Sequence, residues 1–449
     1  MKRLVDHFLH TWKTSPLRQP LIVRGARQVG KTHTVRAFGK TFSSCVEINL
    51  ELRPEFKEIF ETNLDPHIIS RKISVIADQP IIPGQTLLFI DEIQAVPNAI
   101  IALRYFYEMM PELHVIAAGS LLDFAIQQVG MPVGRVASFY MYPLSFIEFL
   151  SAMNAGISID EILSHDITSE IAPIIHNKFL DLVGQYLAIG GMPQAVACWQ
   201  NMQDLYACAD IPFRLIDTYK QDFNKYAKEH QLHYLEVLFK HIPRLLGKKF
   251  KFSVLGEDIR KRELAPCLDL LVTANIVHKV FHSGAHGIPI GADSDLGKFK
   301  VLCIDVALSQ FMLDLNVGDW LLNPLEAFVN KGELVEAFVG QELLAYTHPR
   351  AKGQLYYWQR EVRDSEAEVD YVIQQKSQII PVEVKSGKGT TLKSMNLFLD
   401  AHPQSPYGIR FSSNNYSVHE KVHSYPLYAV AKVMAESDPE VKKALLGLR

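Results

Sequence analysis

Apolar residues follow two rhythms along this chain. Short continuous runs at 21–23, 87–90 and 114–120 have the character of strands buried on both faces of a parallel sheet. Residues 45–49 and 138–142 add two more, so five strands alternate with helical stretches across residues 1–150. That alternation predicts a doubly wound α/β sheet whose ligand sits at the strand carboxyl ends. Between 155 and 240 the strand signal gives way to a mainly helical pattern, interrupted by a glycine-proline turn at 189–193. The last third returns to strands and helices. A helix is predicted over 333–346, and two short strands, 368–373 and 379–384, are joined by a polar turn.

The first run leads into GARQVGKT. From Gly25 to Thr32 the spacing fits G-x-x-x-x-G-K-[ST], with Ala26, Arg27, Gln28 and Val29 lying between Gly25 and Gly30. Two glycines let consecutive amides turn inward as an anion nest, and the dipole of the helix predicted at 32–38 favours negative charge there. The chemistry is that of an ATP phosphate cradle, in which Lys31 reaches the β- and γ-phosphates and the Thr32 hydroxyl binds Mg2+. The second run, TLLFIDE, supplies the remaining acids. Asp91 would hold magnesium through water, and Glu92 would orient or deprotonate the attacking water. Ser120, at the end of a third run, is a candidate γ-phosphate sensor. Arg135 precedes the fifth strand, where it would sense a γ-phosphate in its own or a neighbouring subunit, or else be an ordinary surface arginine.

Composition narrows the class. With 449 residues, 48% hydrophobic and 21% charged, the chain divides into several folding units, each able to bury a core. A net charge of -3 excludes a uniformly basic nucleic-acid coat but not a local patch. No run reaches the roughly 18 apolar residues of a membrane span, and the amino terminus lacks the apolar centre of a secretion signal, so the expected setting is cytoplasmic. The five cysteines, at 45, 198, 208, 267 and 303, are scattered without metal-ligand spacing and are expected to be reduced.

Two further segments carry chemistry. Residues 240–264 crowd together Lys240, Arg244, Lys248, Lys249, Lys251, Arg260, Lys261 and Arg262. With the apolar run at 267–281, a helix, glycine turn and second helix would suit a winged helix-turn-helix meeting DNA phosphates, although a charge run is more often a solvated face. The second segment is VDYVI followed by IPVEVKSG. Asp370 stands on one strand, and Glu383 and Lys385 share a face of the next by period two. Two carboxylates and a lysine across a hairpin suit a magnesium site that activates water against a phosphodiester. Glu336 offers a further acid, with Glu342 as its alternative. The competing reading is a surface ion pair.

Taken together, GARQVGKT, LLFIDE, PLSFIEFL, GGMP and the terminal VDYVI and IPVEVKSG resemble a family of prokaryotic AAA-type, STAND-like ATPases. The resemblance runs over roughly residues 15–430. It implies a P-loop ATPase domain (1–150), a helical lid (151–225), a winged-helix-like region (226–325) and a C-terminal α/β domain (326–435) of PD-(D/E)xK, restriction-endonuclease-like type. Val369 replaces the proline expected before Asp370. By this resemblance Lys31, Thr32, Asp91 and Glu92 serve ATP and Mg2+, and Glu336, Asp370, Glu383 and Lys385 serve the nuclease-like site. DNA is the implied partner, with a homo-oligomer possible and no membrane. Three functions are consistent with this: an ATP-dependent DNA-processing or defence nuclease, an ATP-driven switch whose terminal domain binds DNA or protein without cutting, and a regulator that keeps nucleotide only as a structural ligand. Asp91 and Glu92 argue against the third, because a structural nucleotide needs no positioned water.

Overall fold

The computed structural model describes residues 1–255, 260–360, 367–386 and 392–449. The predicted basic segment therefore loses 256–259, and the glycine-rich tail after Lys385 loses 387–391. Among the described residues the strands form two sheets. The first contains β1 (Leu21–Arg24), β2 (Ser44–Asn49), β3 (Thr86–Asp91), β4 (His114–Ala118) and β5 (Ala137–Tyr140) in the order β2-β3-β4-β1-β5. All of its pairings are parallel. Alternation puts Leu21 and Val23 in one core and Ile22 in another on the opposite face, which is why these strands are apolar at consecutive positions. The connection from β1 leads toward β2, whereas β4 connects across β1 to β5. The crevice between β1 and β4 is thus a topological switch point, and the loop after β1 opens there. This is the P-loop NTPase fold.

Helices Gly156–Ser164, Pro173–Ile189, Pro193–Met202, Leu205–Tyr226 and Glu229–His241 form the middle of the chain. Two of the quoted motifs explain how it is fastened. Ser145 and Glu148 of PLSFIEFL make a capping box at the helix Phe146–Ala152. Gly191 of GGMP gives its carbonyl to the Leu144 amide (2.6 Å) and its own amide to Asp305 (2.7 Å). A Cβ at Gly191 would stand 2.2 Å from the Leu144 carbonyl oxygen, so no other residue fits there without backbone movement.

The second sheet holds β6 (Val277–Ser283), β7 (Ser294–Cys303), β8 (Leu355–Gln359), β9 (Glu368–Gln375), β10 (Gln378–Lys385), β11 (Gly408–Ser412), β12 (Ser417–His419) and β13 (Val422–Pro426). Its order is β12-β13-β11-β10-β9-β8-β6-β7. Two features of this sheet cross the divisions read from the sequence. The apolar run at 267–281 is split between the helix Lys261–Thr273 and β6. The boundary expected near 325 divides one sheet, because the β6–β7 hairpin pairs with β8 of the terminal unit through Val280–Leu355 to His282–Tyr357. Backbone hydrogen bonding across 277–426 therefore joins regions that the sequence pattern separates.

Glu342, the alternative acid, lies away from the terminal carboxylates. It is buried, accepting the Phe146 amide (2.9 Å) and the Tyr346 hydroxyl (2.6 Å), and so ties the helix Gly332–Ala345 to the nucleotide-binding sheet's last helix. Burial pushes its carboxyl up to about 8 from 4.5. Folding therefore takes up a proton between these two values, and this group's contribution to stability is full below about 4.5 and declines as pH rises toward 8. Glu342→Gln, which mimics the protonated acid, should fold and flatten that decline in urea titrations. Glu342→Ala should cost about 1–3 kcal/mol by stranding buried donors.

Candidate functional site

The loop from Gly25 to Thr32 joins β1 to the helix Lys31–Gly39. Its glycines are needed for different reasons. Gly25 has φ 141°, and a Cβ there would lie 2.2 Å from the Met141 carbonyl oxygen; Gly30, φ 98°, turns the chain into the helix. The backbone amides from Ala26 to His33 have no acceptor among the described residues, which is the unsatisfied donor set of a helix start that an anion completes. Lys31 is 7% exposed and donates to the carbonyls of Gly25 (2.9 Å) and Ala26 (2.7 Å). Burial lowers its ammonium to about 8, against the opposing pull of Glu92 and Asp91. A cation partnered only by carbonyl dipoles, beside a row of free amides, fits a polyphosphate.

Side chains from well outside the motif hold the loop's outer surface. Arg27 makes paired bonds to Asp222 (2.8 and 3.0 Å), and its carbonyl accepts the Tyr219 hydroxyl (2.9 Å), both from the helix Leu205–Tyr226. Arg3 reaches the carbonyls of Val29 (2.8 Å) and Tyr142 (2.7 Å) and pairs with Glu148 (2.9 Å). Sequence spacing gives no sign of Arg3, Tyr219 or Asp222, since they approach the loop only through packing. A cleft of 380 Å³ opens beside the loop, lined in part by Gly30, His33, Thr34, Leu144, Pro193 and Ala197, and it too was missed.

The acid side is equally ordered. The Thr32 hydroxyl lies 3.1 and 3.2 Å from the Asp91 carboxylate, so the two candidate magnesium groups converge. Asp91 also accepts the Glu92 amide (3.1 Å). Burial and then the Glu92 charge raise Asp91 to about 6, partly opposed by these hydrogen bonds. Glu92 follows β3 in the left-handed region, φ 50°, and its carboxylate accepts the Gln94 amide at 2.6 Å. Gln94 packs so closely on Gly119 that a Cβ there would stand 1.9 Å from its oxygen. The Gln in LLFIDEIQ is the signal that could have marked this positioning residue. Ser120, buried, comes next after Gly119 at the end of β4, the strand beside β1.

Arg135 is not brought to the loop of its own chain. It precedes β5, whose Ala137 pairs with Leu21 at the start of β1, so it sits at the opposite sheet edge. There it pairs with Glu108 (3.1 Å).

At the terminal carboxylates the geometry departs from the expected magnesium site. β9 and β10 are antiparallel neighbours, as period and turn predicted. However, Asp370 accepts the Val384 amide (2.7 Å), and Glu383 is paired with Lys385 (2.5 Å). Lys300 of β7 enters the cluster with its ammonium 2.5 Å from Glu368, 2.9 Å from Glu336 and 3.9 Å from Asp370. Among the described residues no group of three or more His, Cys, Asp or Glu is arranged to hold a metal ion. Lys300 was missed because a lysine in GKFKVLC gives no sign of pointing inward; at 2% exposure it does.

Comparisons with known proteins bear on the domain that contains the first site and are silent on the chemistry of the second. The AAA domain family matches residues 17–150, and two domains of unknown function, DUF8612 and DUF4143, match 180–319 and 331–430. No curated protein matches the chain. Among solved structures, the Aeropyrum pernix ORC1 protein in complex with DNA aligns at 13% identity and TM-score 0.28, over 72% of this chain and 91% of its own. C. elegans PCH-2 aligns at 13% identity and TM-score 0.20, over 60% and 65%. At these scores neither likeness defines the whole architecture. Residues 17–150 are thus an AAA-type P-loop domain by both sequence family and strand order.

Proton and cation compete for Asp91, so Mg2+-dependent binding of a fluorescent ATP analogue should weaken as pH falls through about 6. Asp91→Asn should remove that pH dependence together with the Mg2+ requirement.

Proposed function

We propose that the chain is an ATP-driven molecular switch: it binds and hydrolyses ATP in the Gly25–Thr32 loop and passes the nucleotide state to a region that binds DNA or protein. The observation that carries this reading is the buried Lys31, held on loop carbonyls beside amides that have no acceptor. Lys31 and those amides would bind the phosphates, and the Thr32 hydroxyl and Asp91 carboxylate would hold Mg2+. The ion supplies charge neutralisation and orients the terminal phosphate. Glu92, steadied by Gln94, would orient water and take its proton, and Ser120, just past the carboxyl end of β4, would serve as a γ-phosphate sensor. Arg135, on the far edge, would serve a neighbouring subunit in a homo-oligomer.

DNA is the proposed partner. The helices Glu229–His241 and Lys261–Thr273 followed by the β6–β7 hairpin have the element order of a winged helix. Lys240, Arg244, Lys248, Lys249, Lys251, Arg260, Lys261 and Arg262 are all exposed, and only Arg262 has an ion-pair partner among the described residues, Glu263. The second reading is a PD-(D/E)xK-like nuclease for DNA processing or defence, favoured by Asp370 and Glu383 standing on adjacent strands. Lys300 weighs against it.

Lys31→Ala should abolish ATP binding and turnover. Glu92→Gln should retain bound ATP while slowing release of phosphate by about 10²-fold; wild-type turnover in Lys31→Ala would refute the assignment. Replacing Lys248, Lys249 and Lys251 with Ala should weaken duplex binding and reduce the log-log salt slope by about 0.9 per lost phosphate contact. A solvated face would leave the slope unchanged.

A further inference from the structure

We infer that Lys300 is the resident cation of the Glu336–Glu368–Asp370 cluster and that its ammonium and a divalent metal exclude one another there. The disagreement with the expected magnesium site is therefore a built property of the fold.

Three carboxylates converge on one ammonium at 2.5, 2.9 and 3.9 Å, and Lys300 is almost wholly buried. A divalent ion needs oxygen ligands near 2.1–2.6 Å with its own coordination shell. An ammonium already in bonding contact with Glu336 and Glu368 fills that space and repels a second cation at short range. Burial alone would pull Lys300 below the ordinary lysine range, but Glu336, Asp370 and Glu368 more than reverse this, so it stays charged. Burial and Asp370 raise Glu336 to about 7 in spite of Lys300. Lys385, for its part, is engaged by Glu383.

The lysine is firmly placed. β7 is the edge strand beside β6, and its free side is met by the basic segment: Lys249 bridges to Lys300, and the Phe250 amide donates to the Phe299 carbonyl (2.9 Å). The Phe250 and Phe299 rings stack at 5.4 Å between centroids. Lys300 also lies 5.4 Å from the centre of the Tyr357 ring. The ammonium is thus delivered by a strand that the proposed DNA-binding region supports on its other side. This inference stands on the cluster alone and does not depend on ATP turnover.

The test is Mn2+ binding to the full chain without nucleotide, followed by electron paramagnetic resonance and calorimetry. Wild type should show no Mn2+ binding at millimolar concentration that Asp370→Asn removes. Lys300→Met, which keeps the apolar stem, should gain one Mn2+ per chain, and Lys300→Met with Asp370→Asn should lose it. Lys300→Arg, retaining the charge, should gain none. Mn2+ should raise the Tm of Lys300→Met and leave that of wild type unchanged. A wild-type site abolished by Asp370→Asn would overturn the inference, as would a folded Lys300→Met chain with no new site. Should Lys300→Met fail to fold, the wild-type and Lys300→Arg titrations still decide: a site that depends on Asp370 in either one refutes the exclusion.

Discussion

Two buried lysines, placed in opposite electrostatic surroundings, organise this molecule. A buried ammonium has to recover the solvation it loses, and the groups that replace water determine what the site can accept. Lys31 has only the carbonyl dipoles of Gly25 and Ala26, and burial lowers it to about 8. Lys300 has Glu336 and Glu368 in direct contact and Asp370 close by. The first site holds an ammonium with no carboxylate bonded to it and is suited to a polyphosphate. The second already contains its cation.

The phosphate loop is held from outside the motif as much as from within. Arg27 is fixed by Asp222, the Arg27 carbonyl by Tyr219, and the Val29 carbonyl by Arg3. Arg3 in turn depends on Glu148 of the capping box. Glu342 joins that same helix to the terminal unit, and Asp305, just after β7, holds Gly191 of the helical middle. Any shift of the loop on taking a ligand bears on the helix Leu205–Tyr226 through the Arg27–Asp222 ion pair and the Tyr219 hydroxyl. The anchoring contacts are ion pairs and hydrogen bonds to the backbone, which are directional.

The adjacent antiparallel strands β9 and β10 share a two-residue connection, with Lys376 in the left-handed region at φ 55°. That local geometry sets Asp370 and Glu383 near each other whatever the rest of the chain does. What the pair can do is set elsewhere, by a strand some seventy residues earlier in the chain. A carboxylate hairpin is therefore a weak indicator of chemistry by itself, because its electrostatic partners come from other parts of the fold.

The sequence by itself determined the five parallel strands, the glycine loop with Lys31 and Thr32, and the acids Asp91 and Glu92. Each of these depends on local rules: apolar runs for doubly buried strands, fixed spacing for an amide nest, and an acid at a strand's carboxyl end. It also located the β9–β10 hairpin, because a two-residue turn and period-two alternation are short-range. Tertiary structure alone decided that Arg135 lies at the far edge from its own loop, that Glu342 is a buried tie, and that the β6–β7 hairpin joins the terminal sheet. It decided as well that Lys300 neutralises the acids of that sheet. These depend on which distant segments hydrogen-bond and on where charge is buried, and both follow from packing between elements far apart in the chain.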